Sequence, residues 1–140
     1  MPVKIKGLGN LRSQLKGLEK EAKAAVNSGI QKTARLILAD ALSRVPVDKG
    51  KLRASMGIES IPDEMIAKIY AAALYSPYQE FGAGAFTEVP SGYEAYAMEF
   101  FVDGTGTTKP QPFLFPALFA NQEKLLPLIE AELVKLLKNG

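Results

Sequence analysis

Neither cysteine nor histidine occurs anywhere in this 140-residue chain. Without cysteine no disulfide framework can form, and without either residue the usual structural zinc sites are excluded. The same absences remove the ordinary routes to an activated nucleophile, since serine needs a neighbouring base and a thiolate needs a thiol. What remains formally open is a Ser-Lys or a carboxylate mechanism. The acid pairs on offer, Asp63 with Glu64 and Glu130 with Glu132, read as turn acids and a solvated helix face. The sequence therefore points to no catalytic residue, no metal ligand and no cofactor, and an enzyme is the least favoured class.

Long apolar runs are also missing. Stretches such as Ala71 to Leu74 or Leu125 to Ile129 fall far short of the ~20 residues a membrane-spanning helix needs, so a soluble protein with no membrane partner is expected. The N-terminus, Met1-Pro2-Val3-Lys4-Ile5-Lys6, is basic but lacks the apolar stretch and small-residue cleavage site of a secretory signal. The chain is expected to stay in the cytoplasm where it is made. Gly82-Ala83-Gly84 and Gly104-Thr105-Gly106 lack the lysine and the strand-to-helix context of a phosphate loop and read as bends.

What is present is one domain's worth of apolar sequence: 47% of residues are hydrophobic, enough for a single core spanning residues 1–140. The net charge of +2 conceals a polarity. Residues 1–53 carry twelve Lys or Arg against four Asp or Glu, residues 54–108 one against eight, and residues 109–140 four against three. Ordinary solvated faces produce such an asymmetry, and so do subunits that meet basic surface to acidic surface. Lys16, Lys20, Lys23, Lys32 and Arg35 could contact phosphates, but they are spread around their helix and interleaved with Glu19 and Glu21. Non-specific DNA binding is thus a minor alternative.

Along the chain, Leu11, Leu15, Leu18, Ala22, Ala25, Ile30, Ala34, Ile37, Ala41 and Leu42 recur mostly at spacings of three and four. This predicts one long helix from Leu11 to Val45, with Asn10 as N-cap, Pro46 as stop and a bend or break at Gly29. Asp48 is placed to cap a short helical turn within a tight corner. Met56–Ile61 and Met65–Ala73 flank Pro62-Asp63-Glu64 as a β-hairpin that needs a third strand or a covering helix. Tyr75, Tyr78 and Phe81 lie three apart and precede Gly82 and Gly84, which fits one helical turn and a bend. Residues 86–108 read as an inserted loop carrying a short helix, Tyr93–Phe101, capped by Ser91. Pro116 is placed to begin a C-terminal helix reaching about Lys138, with Leu118, Leu125, Leu126, Ile129, Leu133, Leu136 and Leu137 on its apolar face. Pro127 must kink that helix or start a second segment.

Three separated segments, taken together, carry a resemblance. Val45-Pro46-Val47-Asp48-Lys49-Gly50-Lys51-Leu52-Arg53-Ala54-Ser55 is close to Val-Pro-Val-Asp-Thr-Gly-Arg-Leu-Arg-x-Ser. Tyr75-Ser76-Pro77-Tyr78-Gln79-Glu80-Phe81-Gly82-Ala83-Gly84 matches Tyr-Ala-x-Tyr-Val-Glu-Phe-Gly-Thr-Gly with changes at Ser76, Gln79 and Ala83. Gln111-Pro112-Phe113-Leu114-Phe115-Pro116-Ala117-Leu118 is like Pro-Phe-Leu-x-Pro-Ala-Leu before a last helix. In this order the segments resemble the small neck and tail-component proteins of siphophages, the gene-product-ten-like group. The clearest departure is 86–108, longer and more acidic than the pattern.

The resemblance implies an α+β subunit: a long N-terminal helix packed on a small antiparallel β-sheet, with a C-terminal helix. It implies a structural virion protein, made in the host cytoplasm, that forms a ring in the neck and connects head to tail around the DNA channel. Sixfold symmetry is the expectation from the symmetry of tails, with twelvefold, matching the portal, as the alternative. Partners would be further copies, neighbouring neck, head-completion and tail proteins, and genomic DNA passing without sequence specificity. A tail-completion or tail-terminator protein is the nearest rival. Within the motifs, Pro46, Asp48, Gly50, Leu52 and Arg53 are expected to shape the corner, with Tyr78 and Phe81 packed beneath it. Gly82 and Gly84 would make the turn, and Pro112, Phe113 and Pro116 would lead into the last helix. Glu80 is expected either to pair with Arg53 or to cap a nearby amide. Arg53, Glu80, Glu88, Glu94 and Asp103 are the expected interface residues.

Overall fold

A computed structural model describes residues 1–4, 20–84, 87–98, 106 and 108–139 of the chain. Its elements, in order, are β1 (Pro2–Lys4), α1 (Lys20–Arg44), α2 (Gly50–Ala54), β2 (Met56–Ile61), β3 (Ile66–Ala71), α3 (Ser76–Phe81), α4 (Glu94–Met98), α5 (Leu114–Asn121) and α6 (Leu125–Asn139). The fold is α+β, as the sequence implied. Short 3-10 turns at Pro62–Glu64 and Gln122–Lys124 join β2 to β3 and α5 to α6.

The helix α1 organises the core. Val26, Gly29, Ile30, Thr33, Ala34, Ile37 and Ala41 are its buried residues, a stripe at helical spacing. Each buried isoleucine contributes about 1.5–3 kcal/mol. Ile30, Ala34, Ile37 and Ala41 are where the periodicity put them; the Leu11–Glu19 part of the predicted helix and its Asn10 cap lie outside the described residues. Of the bend or break expected at Gly29, the break does not occur. The helix runs unbroken through it, and the glycine permits close passage of α6: a Cβ there would stand 2.8 Å from Ile129 Cα and 2.9 Å from Ile129 N.

The hairpin forms as predicted, Met56 opposite Ala71 through Ile61 opposite Ile66, with Met65 taking a left-handed turn at φ 54°. The third strand was not visible in the sequence: β1, from the N-terminus, pairs antiparallel with β3 and gives the order β1-β3-β2. Ala67, Ile69 and Ala71 of β3 are buried against the core. The helix α1 covers that face and is stitched to the hairpin by Gln31 Nε2 donating to Ser60 Oγ (2.8 Å) and Asn27 Nδ2 donating to the Pro62 carbonyl (3.1 Å). On the opposite face the Tyr70 ring lies over Gly57, within 2.9 Å of where a Cβ would be.

The C-terminal helix starts two residues before Pro116, at Leu114, and is divided. A break at Asn121 separates α5 from α6, and Pro127 falls in the first turn of α6, where its missing amide costs little. Leu118, Leu125 and Ile129 are buried as expected, whereas Leu126 is exposed. At the break, buried Asn121 donates to Asp40 Oδ2 (2.7 Å) and the Ala117 carbonyl (2.8 Å) and accepts from Lys124 (2.9 Å). The ion pair with Arg44, and then Asn121, hold the Asp40 carboxyl below the usual carboxylate range. An Asp with a depressed folded value contributes stability above its unfolded value and loses it as pH falls through the folded one. Asn121→Ala should therefore cost about 1–3 kcal/mol at neutral pH. Urea unfolding at neutral and at strongly acidic pH should show that gap narrowing in acid.

Candidate functional site

The three motif segments, far apart in sequence, converge on one joint. Its centre is α3, entered through Ser76-Pro77 and ended by Gly82 at φ 78°, with Gly84 also left-handed at φ 59°. These positive angles are what glycine admits without steric cost, and they turn the chain sharply after Glu80 and Phe81, which both meet α5.

Glu80 is 2% exposed. Its Oε2 accepts the N–H of Phe113 (2.8 Å) and of Leu114 (2.9 Å), and its Oε1 accepts the N–H of Phe115 (2.8 Å). A helix leaves its first four N–H groups without intrahelical partners. For α5 these belong to residues 113–116. One carboxylate satisfies three, and the fourth position is Pro116, which has no N–H. Phe113, at the N-cap, makes no side-chain cap bond, so the cap is supplied from 33 residues upstream. Burial pushes the Glu80 pKa up, the three amides and the nearby Arg44 pull it back, and the net direction is upward.

Around this bond the segments are sewn together. Gln79 Nε2 donates to Gln111 Oε1 and the Gln111 N–H donates to the Gln79 carbonyl, both at 2.8 Å. The Ala83 N–H donates to the Thr108 carbonyl (2.8 Å), and the rings of Phe81 and Phe115 lie 5.4 Å apart. Tyr93, just before α4, packs its ring at a tilt against Phe115, with centroids 4.5 Å apart. The first motif joins through the Ala72 N–H donating to the Ser55 carbonyl (3.1 Å) and through Lys49 Nζ, 6.0 Å above the Tyr75 ring.

All but one of the predicted site residues have a definite place among the described residues. Leu52, Phe81 and Phe113 are core. Pro46 opens a turn closed by the Lys49 N–H on its carbonyl (3.0 Å). Asp48 is exposed in that turn and makes no cap to α2, whose N-cap is Lys49. Gly50 has open space around its Cβ position and no left-handed backbone, so the corner does not require glycine there. Tyr78 is 38% exposed instead of packed beneath the corner. Of the two roles open to Glu80, amide capping is the one observed. Arg53 is exposed, no ion pair joins the two among the described residues, and the burial of Glu80 removes it from any accessible interface. Glu88 and Glu94 are exposed, Pro112 is exposed and Pro116 half-buried, and Asp103 lies outside the described residues. Ser91 sits within the turn Pro90–Tyr93, short of a cap position, and α4 begins at Glu94.

Beside the joint lies a recess of about 300 Å³, with Pro90, Pro112, Pro116 and the 42%-exposed Phe119 in its walls. Nothing in the sequence distinguished Phe119 from its buried neighbours. Among the described residues no group of acids is arranged to hold a metal ion, and no helix is long and apolar enough to cross a membrane.

A family model described as "Bacteriophage HK97-gp10, putative tail-component" matches residues 9–82, more than half of the chain. The chain belongs to the HK97-gp10-like family. It is thus a member of a family of phage tail components, a structural class of virion protein. The match includes the first motif and the second as far as Gly82, and α5 lies beyond it. The Glu80 cap shows how that outer helix is nevertheless bound to the matched region. No curated protein and no solved structure matches the chain.

Proposed function

We propose that this HK97-gp10-like protein is a subunit of a ring in the neck of a tailed phage, connecting head to tail around the DNA channel. The family assignment carries the reading. It is supported by the charge polarity along the chain, because closed rings use two different faces of each subunit and opposite charges on those faces favour the contact. A channel through which a genome slides needs diffuse charge and no base-specific contacts. Two of the bases of α1 are engaged inside the subunit, Lys32 with Glu132 and Arg44 with Asp40, which weakens the rival reading of a DNA-binding helix. Sixfold symmetry would match the tail, and twelvefold would match the portal.

Electron microscopy of lysates from a phage lacking the gene tests this directly. Filled heads beside separate, finished tails are expected. Tails of uncontrolled length would identify a terminator, and unfinished tail tips or tubes a completion protein. Normal infectious particles would overturn the structural reading and restore the DNA-binding one, for which a steep loss of duplex affinity with added salt is the signature.

A further inference from the structure

We propose that the free subunit pairs with a second copy of itself along β2, antiparallel about a two-fold axis at Ile58, so that two three-stranded sheets become one sheet of six strands. The open edge of β2 carries the argument. The Ala72 N–H donates to the Ser55 carbonyl (3.1 Å), and in the antiparallel register that follows, Met56 opposite Ala71 to Ile61 opposite Ile66, bonded and unbonded residues alternate. Ser55, Gly57, Glu59 and Ile61 therefore turn their backbone groups toward β3, and Met56, Ile58 and Ser60 turn theirs outward. Among the described residues nothing pairs with those three N–H and three carbonyl groups. Edge strands are usually blunted by proline, lysine, a bulge or short length. At the other edge β1 has three residues and begins with Pro2. β2 has six, Met-Gly-Ile-Glu-Ser-Ile, none of these devices, and Glu59 as its one charge.

The strand is complementary to itself in one register. Centring the axis on Ile58 sets Ile58 against Ile58 and Met56 against Ser60, and every outward backbone group gains a partner. A shift of two residues in either direction leaves one of the three residues unpaired, and in one direction it also sets Glu59 against Glu59, an unfavourable like-charge pair. In the centred register Glu59 of one copy faces Gly57 of the other, which has no side chain. Over that glycine lies the Tyr70 ring: a Cβ at Gly57 would stand 2.6 Å from the Tyr70 hydroxyl oxygen and 2.9 Å from its Cζ. The hydroxyl is thus above the edge strand itself, about one strand spacing, ~4.8 Å, from the backbone of Glu59 in the second copy, within reach of its carboxylate. Among the described residues exposed Glu59 has no ion pair and the Tyr70 hydroxyl has no hydrogen-bond partner. Each supplies what the other lacks, which selects a second copy as the occupant of the edge.

A strand pair of this length is small beside a standard stable interface, so the association is reversible and depends on concentration. A purely cyclic ring contains no two-fold contact. The pairing therefore belongs to the subunit before assembly, where it covers an edge that otherwise templates aggregation. It goes beyond the ring reading and does not depend on it.

Sedimentation equilibrium and amide hydrogen exchange of the purified full chain, over a range of concentrations, test the pairing together. A monomer–dimer equilibrium is expected. The amides of Met56, Ile58 and Ser60 should gain protection as the dimer fills, while those of Gly57 and Glu59, bonded to β3, are protected at every concentration. Ser60→Pro removes an outward N–H that the subunit itself does not use, at the expense of the Gln31 contact to the Ser60 hydroxyl, and should weaken the dimer about tenfold or more. Should that variant fail to fold, Glu59→Ala and Tyr70→Phe serve in its place: each should weaken the dimer, and the double variant no more than the stronger single one, as contacting residues do. A monomer at every concentration, an oligomer in which the Met56, Ile58 and Ser60 amides stay unprotected, a folded Ser60→Pro that dimerises like wild type, or additive effects of Glu59→Ala and Tyr70→Phe would each overturn the pairing and leave the virion reading intact.

Discussion

Replacing Glu80 by alanine should lower stability by about 3 kcal/mol or more, since each buried amide deprived of its acceptor costs about 1–3 kcal/mol. Three amides are affected, at residues 113–115, and water entering from the recess that Glu80 lines would offset part of the loss. Glu80→Gln is the sharper variant. Its amide has one oxygen where the carboxylate has two, so at least one α5 N–H must face an NH2 group, at a cost of about 2 kcal/mol. Both values are read as shifts in urea midpoint at constant slope. If Glu80→Gln unfolds at the wild-type midpoint, the side chain does not hold α5.

The pH dependence of that difference separates the roles of burial and charge. Burial raises the Glu80 pKa more than the three amides and Arg44 lower it. A carboxyl whose folded value lies above its unfolded value contributes stability that is complete below the unfolded value and is lost as pH rises through the folded one. Glutamine does not titrate. The gap between wild type and Glu80→Gln should therefore be widest in acid and narrow as pH rises past the ordinary carboxylate range. Asp40 and Glu132, whose values are lowered by Arg44 and Lys32 respectively, give slopes of the opposite sign and cancel in the subtraction. A gap that widens with rising pH would mean that the amides outweigh burial.

Periodicity explains which parts of this fold could be read in advance. The described part of α1 and the β2–β3 hairpin advertise themselves by spacings of three to four and by Pro46 and Pro62. The three-residue β1 is too short to show alternation, and its pairing depends on where β3 lies. The start of α5 was misplaced because Pro116 is a good first helical residue, while the cap that allows an earlier start comes from Glu80. The motif residues were conspicuous without their roles being so. Glu80 had two plausible partners, and only the tertiary position of α5 decides between them. Phe119 and Leu126 occupy helical positions like those of buried neighbours, and their exposure is a property of how α5 and α6 pack.

Glycine-to-alanine exchanges at Gly29 and Gly50 should move stability in opposite directions. Helix propensity alone would favour alanine at Gly29 by about 1 kcal/mol. The added methyl, however, would stand 2.7 Å from Ile129 Cγ1 and under 3 Å from the backbone of the same residue. A side chain can rotate away, but the Ile129 backbone cannot move unless α6 is displaced from α1. Overpacking of this kind costs about 1–3 kcal/mol, occasionally more, and contact with backbone belongs at the upper end, so Gly29→Ala should be destabilising by about 2 kcal/mol net. At Gly50 nothing lies within 4 Å of the Cβ position, and alanine there should be neutral or stabilising by up to about 1 kcal/mol through the unfolded chain. Thermal or urea unfolding of the two variants decides the matter. A stabilised Gly29→Ala would mean that the crossing of α1 and α6 is looser than described. A stable Gly50→Ala that fails to enter particles would show that the first motif keeps its glycine for a contact made between subunits.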